Sequence, residues 1–149
     1  MKSLFETAGL QEVVDRLNRI TPESPRQWGT MSVDQMLAHC NSAMDMASGI
    51  IQPKRVFIGR IIGPLFRANY SNEKPFGQSS PTSNELKVES ARDFHREKEQ
   101  LRVKISQFAA AGEAGVTKHP HPFFGPLSPH EWGIGMYKHL DHHFRQFGA

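Results

Sequence analysis

The stretch Ser128-Pro-His-Glu-Trp-Gly-Ile-Gly-Met-Tyr-Lys-His139-Leu-Asp-His-His143-Phe-Arg-Gln-Phe147 constrains the chain most, because its spacing fits a helix that buries one side. Successive helical residues turn by about 100°, so His139 and His143 lie about 40° apart, one turn along the same face. Trp132, Met136, Leu140, Phe144 and Phe147 form an apolar stripe that begins beside His139. The two histidines therefore border the buried side, and two neutral imidazoles at that spacing can share one metal ion. Ser128 suits the N-cap, Pro129 the first turn, Glu131 a capping box and Gly148 the end.

The chain of 149 residues is expected to be one domain with a core of its own. Its net charge of +3 comes from interleaved Lys, Arg, Asp and Glu, without the like-charge block of a nucleic-acid or membrane footprint. Neither partner is expected. A single cysteine, Cys40, excludes an intramolecular disulfide and fits a reducing compartment. The start lacks a signal-peptide apolar region and no segment reaches the ~20 apolar residues of a membrane span, so a cytoplasmic location is expected.

Leu10, Val13, Val14, Leu17 and Ile20 recur at helical spacing and predict a first helix over about residues 6 to 20, stopped by Pro22 and Pro25. A loop with Trp28 and Gly29 follows. Ser32 and Gln35 then predict the capping box of a second helix, about 33 to 48, closing near Gly49. On its wheel Val33, Met36, Leu37, Cys40, Ala43, Met44 and Ala47 form the stripe, with His39 at the edge. If this helix packs beside the last one, His39 completes a three-histidine site.

From Ile50 to Ser83 the period weakens, and Val56 to Phe66 reads as a short helix or an apolar crossover. The Ser, Pro, Asn and Gly of residues 72 to 84 predict a long connection, and Leu86 to Val88 an extended piece. A further helix is expected from Ser90, with Asp93 as capping-box partner, to Ala111. The loop after it holds Pro120, Pro122 and Pro126, which stiffen it. Four long amphipathic helices without a strand pattern, and with a long crossover between the second and third, predict an all-α four-helix bundle.

Met-Leu-Ala-His39, His139-Leu-Asp-His-His143-Phe-Arg-Gln, Trp28-Gly-Thr-Met-Ser and His121-Pro-Phe-Phe-Gly125 together resemble the DinB-like superfamily over nearly the whole chain. The resemblance implies a four-helix bundle, commonly a homodimer, holding one divalent metal on His39, His139 and His143. Some members are thiol-dependent transferases using small thiols, others are named putative metal-dependent hydrolases, and many have no known activity. The implied substrate is a small molecule, with a low-molecular-weight thiol as a candidate partner. Three neutral histidines leave coordination positions open, as a catalytic site requires. Zinc or nickel is expected first, with iron or manganese as alternatives. The rival reading is a non-catalytic bundle whose site is structural or vestigial.

The remaining candidates have weaker signals. His121 is the catalytic candidate, as a general base or fourth ligand, against a structural contact capping the bundle end. His142, about 60° from His139 and away from the stripe, is expected to face solvent. His95 is expected at the surface, Cys40 as a buried thiol, and Asp141 away from the ligands. His119 and His130 carry no comparable signal.

Overall fold

The capping residues of the last helix act as the sequence requires. In a computed structural model, which describes residues 1–72, 74–78 and 86–149, Ser128 Oγ accepts from Glu131 N at 3.2 Å. The Glu131 carboxylate accepts from Ser128 N at 2.7 Å, which closes the capping box. The helix, α5, spans Pro129–Gln146. Before it come α1 (Thr7–Arg19), α2 (Val33–Ala47), α3 (Phe57–Ser71) and α4 (Phe94–Ala111), with a 3-10 turn over Gly112–Gly115. Gly49, Gly112 and Gly148 follow α2, α4 and α5 with positive φ, a conformation that ends a helix most easily at glycine.

The fold is all-helical among the described residues. α1 and α2 each touch α4 and α5, so the four close a ring in the order α1, α4, α2, α5, while α3 packs on α5. Leu17, Met36, Leu37, Met44, Leu101, Ile105, Trp132, Leu140 and Phe144 fill the interior. No described helix is long and apolar enough to cross a membrane.

Two local expectations change. α4 starts after Asp93, whose side chain accepts from Arg96 N at 2.9 Å, and not at Ser90. The residues before it are tied to the start of α2 instead, through Gln35 Nε2 to Glu89 O and Arg92 N to Asp34 Oδ2. Leu86 to Val88 form no strand; Leu86 buries its side chain beside α2. Of the long connection, residues 73 and 79–85 lie outside the described residues.

The crossover that was ambiguous in sequence is the full helix α3, and glycine is what lets it dock. A Cβ on Gly63 would fall 2.0 Å from Phe123 O, and one on Gly135 of α5 would fall 1.8 Å from the Tyr70 ring. Only hydrogen fits at either position. Arg67 then clamps the helix with two bonds to Glu131, whose carboxyl the guanidinium holds down to about 2. Lys138 Nζ donates to Asn69 O and Asn72 Oδ1 at its far end.

α1 is held to α5 by a buried ion pair. Arg16 Nη1 donates to Asp141 Oδ1 at 2.5 Å, and Nη2 donates to Asp141 O and Ala149 O. The two side chains are only 9 % and 10 % exposed. Removing one partner of such a pair strands a charge, so Asp141→Ala is expected to cost about 3–5 kcal/mol. The check is a lower urea midpoint at unchanged slope; a shift worth less than ~1 kcal/mol would show that the pair does not hold α1 in place.

Candidate metal centre

α2 and α5 bring three histidine rings together. His39 Nε2 lies 3.0 Å from His139 Nε2, and one ring nitrogen from each of His39, His139 and His143 lies within 4.8 Å of the other two. Ring centroids stand 4.7–5.0 Å apart. His39 and His143 are buried, while His139 is half-buried at the edge with its Nδ1 sealed from solvent.

The second nitrogen of two rings shows how they are set. His39 Nδ1 lies 2.8 Å from Leu86 O, an acceptor only, so Nδ1 carries the hydrogen and Nε2 is a bare lone pair. His143 Nδ1 lies 2.9 Å from Gln146 Oε1, while Gln146 Nε2 donates to Trp28 O at 2.9 Å. That amide orientation makes His143 Nδ1 a donor too, and leaves its Nε2 bare. Gln27 N donates to Gln146 O at 2.8 Å, which fastens the loop on both sides of the amide. A Cβ on Gly29, at φ +79°, would stand 2.6 Å from Gln146 Nε2, so the Trp28-Gly29 word is explained by this contact.

His139 is the exception. Its Nδ1 is buried with no hydrogen-bond partner, and its Nε2 faces the bare Nε2 of His39. Without an ion, His139 must place a proton between the two nitrogens; with one, all three lone pairs can point inward. The donor set fits a divalent cation of imidazole preference, because the rings are neutral and two are already oriented.

Burial keeps them neutral. It lowers the pKa of His39, lowers that of His143 to about 3, and lowers that of His139 well below its ordinary value with help from the neighbouring rings.

The other candidates fall elsewhere. His121 is not in the cluster. Its Nδ1 accepts from Phe123 N and Phe124 N, and its ring packs at a tilt among Tyr70, Phe124 and Trp132. With Nδ1 accepting, its hydrogen sits on Nε2, and burial brings its pKa to about 3. His142 does not face open solvent: it is half-buried between Trp28 and Phe76 and meets His143 edge-on. The Trp28 loop folds over that side of α5, which a wheel cannot show. His95, His119 and His130 are exposed, and Cys40 is fully buried beside Met36. Asp141 serves Arg16 and Arg145. Sequence reasoning missed Gln146, although it stands three residues after His143 on the same face, and missed Leu86 O, for which sequence carries no signal.

Fold and site together define an all-helical protein with three histidines able to hold a metal ion. The chain belongs to the family described as protein of unknown function (DUF1569), whose model matches residues 2–149. No curated protein and no solved structure matches it.

The depressed histidines have a stability consequence with a definite sign. Below about pH 6.5 the unfolded chain protonates its histidines while the folded chain does not. Stability of the metal-free protein is expected to be complete above about pH 6.5 and to fall as pH drops toward the folded values of about 3 for His121 and His143. Between about pH 6.5 and 4.5, above the carboxylate range, the loss belongs to histidine. A urea midpoint that stays level across that window would contradict it.

Proposed function

We propose that the chain is a DinB-like four-helix bundle that binds one divalent metal on His39, His139 and His143, and that it is a metal-dependent enzyme acting on a small molecule. The observation that carries this reading is the 3.0 Å approach of two imidazole nitrogens, with the third ring's nitrogen in the same cluster. The ring of α1, α4, α2 and α5 supports the bundle assignment. Zinc or nickel suits the three imidazoles first.

His39, His139 and His143 would hold such an ion through neutral imidazoles, and the bound ion would supply activation of water or a small thiol near neutral pH. The chain's own residues divide the remaining work. Leu86 O and Gln146 fix the tautomers of His39 and His143. His121 accepts from the Phe123 and Phe124 amides at Nδ1 and so orders the 121–125 turn. Cys40 is sealed in the core with its thiol pKa pushed up by burial, so it stays protonated, and a reacting thiol must come from outside. Transfer of a low-molecular-weight thiol to an electrophile is the leading reaction, with hydrolysis of an activated ester or amide second.

His39→Ala, His139→Ala and His143→Ala are each expected to lose stoichiometric metal after dialysis, whereas His95→Ala and His142→Ala keep it. Equal retention in all five, by elemental analysis, would refute the ligand set. Binding to the folded state alone should also add ~2.7 kcal/mol of stability at free metal of about 100 times the dissociation constant.

Gln146→Leu removes the acceptor that orients His143 and is expected to weaken metal binding by roughly 10–100-fold in a folded protein. Titration with a competing chelator measures it; unchanged affinity would remove Gln146 from the site. For the reaction, metal-loaded protein should turn over thiol-acceptor or activated-ester substrates, His143→Ala should abolish this, and Cys40→Ala should not. No turnover above free metal would favour a non-catalytic metal-binding bundle.

A further inference from the structure

α5 carries a second concave surface on its far side. Ile134, Tyr137 and Asp141, which line it, lie about 140–160° round the helix from His139, and no ring of the histidine cluster lines it. The start of the chain and the turn after α3 close the cleft, whose volume of about 550 Å³ falls within the ~300–1,000 Å³ of small-ligand sites. Lys138 enters it with an ammonium that is only 8 % exposed. Its Nζ meets Asn69 O at 2.6 Å, Asn72 Oδ1 at 3.0 Å and the Phe76 ring at 4.6 Å, and none of these three is an anion. The carboxylate three residues on, Asp141, is bound by Arg16 and Arg145 instead. The end of α3 contributes about half a negative charge, so capping that helix uses the ammonium's hydrogen bonds and leaves part of its charge unmatched. Lysine is rarely buried in that condition.

We propose that this cleft binds a small organic anion, whose single carboxylate or phosphate group sits on Lys138 and Arg145 and whose apolar portion lies against Ile134, Pro75 and the Tyr137 ring. Arg145 is placed to share the anion. Its Nε donates to Asp141 Oδ1 at 3.0 Å, so the side chain folds back toward Lys138 while 61 % of it stays exposed. Asp141 takes Nε, and the amino groups of the guanidinium are available for a planar anion. Arg16 Nη1 donates to the same oxygen from inside the core, so one carboxylate is shared between two guanidiniums. On the other wall Lys2 is paired with Glu12, and Glu6 adds a carboxylate from the N-cap of α1. Lys2, Arg16, Lys138 and Arg145 against Glu6, Glu12 and Asp141 leave one positive charge, which favours a ligand with one anionic group over a polyanion. Nothing in this inference depends on the metal reading.

The test is calorimetric titration of the full chain with benzoate, phenyl phosphate and benzamide, the last presenting a similar ring without the charge. At least one of the two anions is expected to bind with one-to-one stoichiometry, which also tells carboxylate from phosphate recognition, and benzamide roughly 10-fold or more weaker. Lys138→Met keeps the apolar stem and Arg145→Gln changes an exposed position; each should weaken the anion by roughly 10-fold or more, the scale of a lost charge-assisted hydrogen bond. Lys118→Gln, exposed and elsewhere on the surface, should leave it unchanged. Circular dichroism confirms folding, and if Lys138→Met does not fold, Arg145→Gln decides. The isotherm should also be the same after dialysis against the neutral chelator 1,10-phenanthroline, which separates this cleft from the metal centre. Neither anion binding at millimolar concentration, benzamide binding as tightly, wild-type affinity in either folded variant, or binding that disappears with the chelator would each overturn the proposal.

Discussion

Two imidazole nitrogens 3.0 Å apart in a protein interior need a proton or a cation between them, and that requirement organises the centre of this molecule. His39 donates its one N–H to Leu86 O, and His143 donates its own to Gln146 Oε1, so the electrostatic burden falls on His139. Its orphaned Nδ1 is where the strain appears, since a buried polar atom without a partner costs about 1–3 kcal/mol. A site built for stability alone would have placed an apolar side chain there. The arrangement makes physical sense as a set of inward lone pairs, in which the same three rings exchange mutual repulsion for a shared positive centre.

Keeping those rings in place requires long-range contacts from both ends of the sequence. Gln27 and Trp28 reach Gln146 through two hydrogen bonds, which couples a loop near the start to a candidate metal-binding histidine near the end. Arg16 reaches across 125 residues to Asp141, on α5 between His139 and His143, so the helix carrying two of the three histidines cannot slide along its axis without breaking a buried ion pair. Small residues do the same for α3. Gly135 admits Tyr70, and the Tyr70 ring in turn packs on His121 and Trp132, which builds an aromatic wall on the N-terminal side of the cluster.

What was legible in the sequence was whatever has a local period or a local cap. The boundaries of α2 and α5, their stripes and the edge positions of His39, His139 and His143 follow from residues within a turn or two of one another. The start of α4 was misplaced because Ser90 and Asp93 are both acceptable caps locally, and the tie from Arg92 N to Asp34 on α2 decides between them. The surroundings of His142 were misjudged for a similar reason: a helical wheel ranks directions around one helix and is blind to a loop folded over it. α3 was ambiguous because its apolar residues do not point at this chain's core, so the usual agreement between period and burial is absent. Leu86 O is a backbone group, and no side-chain pattern can announce it.

Burial assigns opposite fates to the two kinds of nucleophilic side chain in this interior. Removing water penalises charge, so it strips protons from imidazole and holds them on a thiol. His39, His139 and His143 become neutral lone-pair donors under that influence, while Cys40, on the very next residue of α2, is locked as an uncharged thiol against Met36. One step of about 100° round the helix separates a ring that could ligate a metal from an inert thiol. The consequence is a proton-poor cradle of three imidazoles able to hold a metal ion, beside a thiol that stays protonated and sealed in the core.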